Sequence, residues 1–190
     1  MNKKICVFCS SSDVLEEVYF NEAKNLGKSI GQENFSLVYG GTNVGLMHEV
    51  ARSVHDEGGK VIGVIPEKIK NNGIAASDID ELIVTSDMKE RKAVMREKSD
   101  AFVALPGGFG TLEEILEVIT LKQLGYHNKA IVFVDSDGFY FHLIQQFEKF
   151  YEKQFSKQNY RKMYKVVASG VEAIEYIKTY REEDLGSKWF

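Results

Sequence analysis

Residues 101–114 read Ala101-Phe102-Val103-Ala104-Leu105-Pro106-Gly107-Gly108-Phe109-Gly110-Thr111-Leu112-Glu113-Glu114. A short, continuous apolar run of this kind suits a strand buried on both faces. A proline and three glycines follow within five positions, and then a helical pattern of apolar residues begins. Strand, glycine turn and helix together make one half of a βα unit. Glycines let the backbone turn sharply and come close to a ligand. The helix that follows offers free N–H groups and the positive end of its dipole, which together bind phosphate. Thr111 adds a hydroxyl donor. The plainer reading is a tight turn with Thr111 as N-cap and Glu114 closing a capping box. Three glycines in four positions exceed what a cap requires.

The same alternation extends in both directions. Apolar runs at residues 5–9, 37–39, 61–65, 82–85 and 130–134 join 101–105 as strands, and 164–168 is a weaker seventh. Helical periodicity covers residues 14–33, 44–57, 88–98, 111–124, 140–154 and 170–180. Strands alternating with helices at this spacing imply right-handed crossovers and a parallel sheet covered on both faces. The expected fold is therefore α/β, a Rossmann-like three-layer sandwich with a central parallel sheet of six to seven strands. Nothing reads as an interdomain linker, so residues 1–190 are expected to form one domain. Residues 66–80 form the longest stretch without clear periodicity and read as a mobile loop over the site.

Composition narrows the function. The net charge of −4 argues against a nucleic-acid binder or an anionic-membrane binder. No apolar run approaches the ~20 residues that span a bilayer. The apolar stretch at 5–9 is too short for a signal peptide, which points to the cytoplasm. There Cys6 and Cys9 stay reduced. Residues three apart on a strand face opposite ways, so this C-x-x-C reads as structural. His48, His55, His127 and His142 show no ligand spacing. Asp135-Ser136-Asp137-Gly138 resembles the start of a calcium loop, but Gln146 stands where a bidentate Glu belongs.

In such sheets ligands bind beyond the carboxyl ends of the strands. A second glycine turn, Gly40-Gly41-Thr42-Asn43-Val44-Gly45, falls at that edge. It reads either as the opposite lip of a cleft or as a plain turn. It is not a P-loop, because Gly45 lacks the following Lys-Ser/Thr. Nor does Gly108-Phe109-Gly110 continue to the third glycine of a dinucleotide fingerprint. Asp87 starts another helix, with Glu90 placed to complete its cap. Arg91 and Lys92 then lie near the positive end of that helix, a poor place for cations unless they face an anion. The alternative is a solvated, charged helix face. Glu113 and Glu114 diverge as helix neighbours and do not by themselves form a glycosidase pair. The helix 111–124 is apolar nearly all round, which suggests a second subunit as cover.

Met88 with Arg91-Lys92, followed by Pro106-Gly107-Gly108-Phe109-Gly110-Thr111-Leu112-Glu113-Glu114, resembles a known pair of motifs. They are M-x-x-R-K and P-G-G-x-G-T-x-x-E of the LOG, or "lonely guy", cytokinin-activating phosphoribohydrolases, also described as possible lysine decarboxylases. The turn at Gly40–Leu46 and the opening strand are similar as well. The resemblance implies hydrolysis of the N-glycosidic bond of N6-modified adenosine 5′-monophosphates to free base and ribose 5-phosphate. It implies Arg91 and Glu114 as the catalytic pair. Substrate and phosphate binding fall to Lys92, Gly107, Gly108, Phe109, Gly110, Thr111, Glu113 and Thr120. It also implies a homodimer with the site near the interface, and no metal or organic cofactor. A nucleotide-binding or sensing protein of the same fold, without turnover, is the alternative. The sequence departs from the family in the loop after the third strand. Members carry a substrate-contacting glutamate there, at a position that falls near Asn72-Gly73, and Glu67 is the nearest acid.

Overall fold

A computed structural model describes residues 2–186; the ends of the expected domain, Met1 and residues 187–190, lie outside them. The strands are β1 (Lys4–Phe8), β2 (Ser36–Tyr39), β3 (Val61–Pro66), β4 (Glu81–Thr85), β5 (Ala101–Ala104), β6 (Ala130–Val134) and β7 (Lys165–Val167). The helices are α1 (Glu17–Gln32), α2 (Gly45–Asp56), the single turn α3 (Glu67–Ile69), α4 (Met88–Glu97), α5 (Phe109–Gln123), α6 (Phe141–Glu152) and α7 (Gly170–Thr179). One seven-stranded sheet runs in the order β4-β3-β2-β1-β5-β6-β7, and every pairing is parallel. The doubly wound sandwich expected from the alternation is the fold observed.

The strands alternate their side chains between two cores. Ile5, Val7 and Cys9 pack with Leu26, Val50 and Ile174 from α1, α2 and α7. Cys6 and Phe8 pack on the other face with Met95, Ile115, Val118 and Phe147 from α4, α5 and α6. Both cysteines are free and buried, on opposite faces as their spacing requires. Burial raises both thiol pKa values.

The sheet reverses its winding at β1. The chain moves outward from β1 through β2, β3 and β4, then returns to place β5 on β1's other side. Such a switch point opens a crevice at the carboxyl ends of the strands.

Three local expectations need correction. First, α1 begins at Glu17 and not at residue 14. The Asp13 carboxylate instead accepts from the Gly45 N–H at 2.7 Å, across the crevice, and Val14 is left 92% exposed. Second, residues 66–80 are not a free loop. α3 and a π-helical turn, Lys70–Ile74, occupy their first half. The Asn43 N–H donates to Ile74 O and the Ala76 N–H to Gly41 O, both at 2.9 Å. These bonds strap the segment to the second glycine turn. Third, α5 starts at Phe109, so Thr111 sits at the third helical position and does not cap. Gly108, in extended conformation, is the N-cap, and its carbonyl accepts the first helical bond from Leu112 N at 3.1 Å.

Candidate active site

The crevice at the switch point is a cleft of ≈ 560 Å³. Its floor is the end of β1 and the turn after it, Cys9 to Ser12. One wall is the second glycine turn, with Gly40 and Thr42, and the start of α2, with Met47. The other wall is the start of α5, with Gly108, Gly110, Thr111, Glu113 and Glu114. Ile69, Asn72 and Ile74 come down from the strapped segment, and Met88 and Arg91 come from α4. The second glycine turn thus forms the opposite lip of the cleft.

α4 delivers Arg91. Asp87 caps the helix by accepting from the Glu90 N–H at 2.8 Å, and Glu90 accepts in turn from the Ser86 N–H at 2.7 Å. Asp87 caps as read from the sequence, while Glu90 reaches one residue past the partner of a capping box, to Ser86, and the two bonds fix the first turn. Arg91 is 5% exposed. Its Nε donates to the Val64 carbonyl of β3 at 3.0 Å, and its Nη1 bonds Glu114 Oε1. The guanidinium lies against the chain at Gly40, where a Cβ would come within 2.5 Å of Nη2. Only glycine allows that approach.

Glu114 stands in the second turn of α5, one turn deeper than the capping-box reading placed it, and is also 5% exposed. Burial raises its pKa above the ordinary carboxylate value, and the charge and hydrogen bond of Arg91 pull part of the way back. A buried charge needs such a partner. The cations at the start of α4 therefore do not form a solvated face. Arg91 faces an anion inside the protein.

No side chain caps α5. The first N–H groups of a helix have no intrahelical acceptor, so those of Phe109, Gly110 and Thr111 remain available at the edge of the cleft. Thr111 is buried and folds back against Gly107, where a Cβ would lie 2.1 Å from its Oγ1. Gly107 itself does not line the cleft; it makes room for Thr111. Phe109 points away from the core and is 93% exposed at the rim.

Besides Gly107 and Phe109, which are not among the cleft-lining residues, two more expected residues lie elsewhere. Lys92 is outside the cleft lining and bonds Glu113 and Glu117 on α5, the latter at 3.1 Å. Burial pulls its pKa down, but these two carboxylates more than reverse the effect, and the net shift is upward. Thr120 is exposed on the far part of α5, donates to the Leu116 carbonyl at 2.8 Å, and belongs to a shallow groove between α5 and α6. Within one chain it does not reach the cleft. At the position where the resemblance would put a glutamate, Asn72 lines the cleft and Glu67 does not. Cys9, Ser10 to Ser12 and Met47 are cleft residues that motif reading did not assign. Their signal was only that they follow strands at the carboxyl edge.

The cleft lining includes no lysine among the described residues. A pyridoxal-phosphate site needs a lysine amine for its Schiff base, so these residues do not fit that cofactor. No group of three His, Cys, Asp or Glu among the described residues is placed to hold a metal ion. No helix of the described residues is long and apolar enough to cross a membrane.

Known proteins match this arrangement. The family described as possible lysine decarboxylase covers residues 47–177, which include both motifs. Cytokinin riboside 5′-monophosphate phosphoribohydrolase LOG5 of Arabidopsis thaliana is 38% identical over 191 residues, covering 98% of this chain and 84% of its own. LOG4 of the same plant is 42% identical over 179 residues, covering 94% and 82%. A molybdenum cofactor binding protein from Rippkaea orientalis shares the fold, with a TM-score of 0.72 at 24% identity over 94% of this chain and 97% of its own. The paired motifs, their convergence in one cleft and these relatives carry one conclusion: the chain belongs to the LOG family, the group also described as possible lysine decarboxylases.

Proposed function

We propose that this protein hydrolyses the N-glycosidic bond of adenosine 5′-monophosphates, N6-modified ones included, to free base and ribose 5-phosphate. One observation carries the reading: the buried Arg91–Glu114 pair shares a cleft with the uncapped start of α5. The 5′-phosphate binds the free N–H groups of Phe109, Gly110 and Thr111 and the Thr111 hydroxyl. Gly108 and Gly110 let it approach, and Gly107 leaves room for the Thr111 side chain. That anchor holds the ribose over Glu114.

Breaking the C1′–N bond builds positive charge on the ribose, as in glycoside hydrolysis. The Glu114 carboxylate stabilises that charge or traps C1′ covalently. Water supplies the oxygen to C1′ and, in the end, the proton taken by the leaving base. Arg91 offsets the repulsion between Glu114 and the phosphate, and its fixed guanidinium is aimed at the departing group or the phosphate. The decarboxylase description finds no chemical support in a cleft without a lysine.

The reading includes one domain over residues 1–190, a cytoplasmic location and a homodimer. Leu116 and Phe150 are exposed apolar side chains on α5 and α6, with Phe109 exposed at the cleft rim. A second subunit covering this face would sit beside the site and gives Thr120 its place near substrate.

The test is incubation of purified protein with AMP and N6-isopentenyl-AMP, followed by assay of free base and ribose 5-phosphate. Release that vanishes in Glu114→Gln and in Arg91→Ala supports the hydrolase. Tight nucleotide binding without release favours a binding protein instead.

A further inference from the structure

Lys92 follows the cleft arginine in sequence, yet the two side chains go different ways. Neighbours on a helix diverge by roughly 100°. Arg91 turns into the cleft, while Lys92 turns across to α5 and stays outside the cleft lining. There its ammonium bonds two carboxylates one helical turn apart, Glu113 and Glu117. Arg96, one turn beyond Lys92, meets the same Glu117 at 3.1 Å. The result is a ladder of two cations on α4 and two anions on α5. Of these four residues only Glu113 also lines the cleft. It is 56% exposed, two positions beyond Thr111 on the helix that offers its N–H groups.

A phosphate monoester carries a charge of about −1.5 to −2 at neutral pH. A free carboxylate at Glu113 would oppose it in the same cleft. The ammonium of Lys92 removes that opposition from behind. It both cancels the charge and holds the carboxylate toward α4.

We propose that Lys92 is a positioning residue that admits the substrate phosphate by neutralising Glu113, without touching the phosphate itself. This rests on the phosphoribohydrolase reading, because it takes the ligand to be a nucleoside 5′-monophosphate.

The experiment measures AMP affinity by calorimetry beside kcat and KM for release of ribose 5-phosphate. Lys92→Met weakens AMP binding and raises KM about tenfold, as an uncancelled like charge in a partly buried cleft should. Its kcat stays within about twofold, because an interaction shared by ground and transition states moves KM alone. Added salt shrinks the defect. Lys92→Arg restores binding. Glu113→Gln alone tightens binding. The decisive variant is Lys92→Met with Glu113→Gln, which returns AMP affinity to near that of the parent protein. A double variant as weak as Lys92→Met shows that Lys92 contacts the phosphate directly and overturns the proposal, as does weaker binding by Glu113→Gln alone. If the parent protein binds AMP but releases no ribose 5-phosphate, the hydrolase reading fails on its own. The affinity series still decides the role of Lys92.

Discussion

Two helices begin at the same edge of the sheet with opposite first turns. α4 closes its own N-terminus: Asp87 accepts from the Glu90 N–H, and Glu90 accepts from the Ser86 N–H and hydroxyl. α5 leaves its N-terminus open, with Gly108 as N-cap and no side chain accepting from its first turn. The capped helix holds a side chain, Arg91, in a fixed place. The open helix leaves its first N–H groups without a side-chain acceptor at the edge of the cleft, where the proposed phosphate would bind. An uncapped start is not by itself a site, since α1, α2 and α6 also lack a side-chain cap. What sets α5 apart is that its uncapped start borders the cleft beside Glu114.

The largest expected effect falls where the two helices meet, at Glu114. Glu114→Gln keeps the shape and the phosphate anchor but removes the carboxylate. The turnover number for ribose 5-phosphate release should fall about 10³-fold, with AMP affinity close to that of the parent protein. A loss below tenfold would place the chemistry on another group.

Next comes a change that makes α5 resemble α4. A Cβ at Gly108 meets nothing within 4 Å, and the residue already has the extended backbone of an N-cap. Gly108→Asp should therefore cap α5, adding a few tenths of a kcal/mol to stability. The same carboxylate occupies the N–H groups and repels phosphate, so KM for AMP should rise about 100-fold. A melting temperature that holds while KM climbs would sharpen the contrast. A KM that does not move would break it.

The third effect is on pH. Burial raises the Glu114 pKa above the ordinary carboxylate value of 4.5. Between 4.5 and the raised value, the folded protein keeps a proton that the unfolded chain has released. Stability from the neutral form is therefore complete below 4.5 and disappears as pH rises through the raised value. Activity runs the other way, since the mechanism needs the carboxylate. The kcat/KM profile should show an acid limb above the ordinary carboxylate range. Arg91→Met removes the guanidinium that opposes the shift, so the Glu114 carboxyl should titrate at higher pH in that variant, read by carboxyl ¹³C NMR instead of turnover. Breaking a buried pair from one side should also cost about 3–5 kcal/mol of stability, measured by urea unfolding.

Most of the fold was legible because each strand is a short continuous apolar run and each helix has its own period. The strand order and its reversal at β1 emerge only from the structure. The glycine turn into α5 was legible from Gly107, Gly108 and Gly110, and the start of α4 from Asp87. What escaped reading depends on contacts distant in sequence. Asp13 leaves α1 to meet Gly45, which shortens the helix from its expected start. The polar segment after β3 looked free because its partners, Gly41 and Asn43, lie more than twenty residues away in sequence. α5 started early because Gly108 can cap with its backbone alone, which Thr111 and Glu114 concealed. The directions of Arg91 and Lys92 were likewise hidden, since adjacent cations read alike until the neighbouring helices are placed.

The smallest expected effect belongs to the closed helix. Asp87→Ala removes the side-chain acceptor from Glu90 N and should lower stability by about 1 kcal/mol. Arg91 lies only four residues on, and its own N–H bonds the Asp87 carbonyl, which alanine retains. Its side chain is held independently by the Val64 carbonyl and by Glu114. Opening the start of α4 should therefore leave kcat and KM within about twofold, the expectation when stability and site contacts are separate. The paired assay is thermal unfolding beside AMP hydrolysis. A large loss of kcat in Asp87→Ala would mean that the cap itself aims Arg91. The two helix starts would then differ in degree, each serving the ligand, and the division between a structural and a binding N-terminus would not hold.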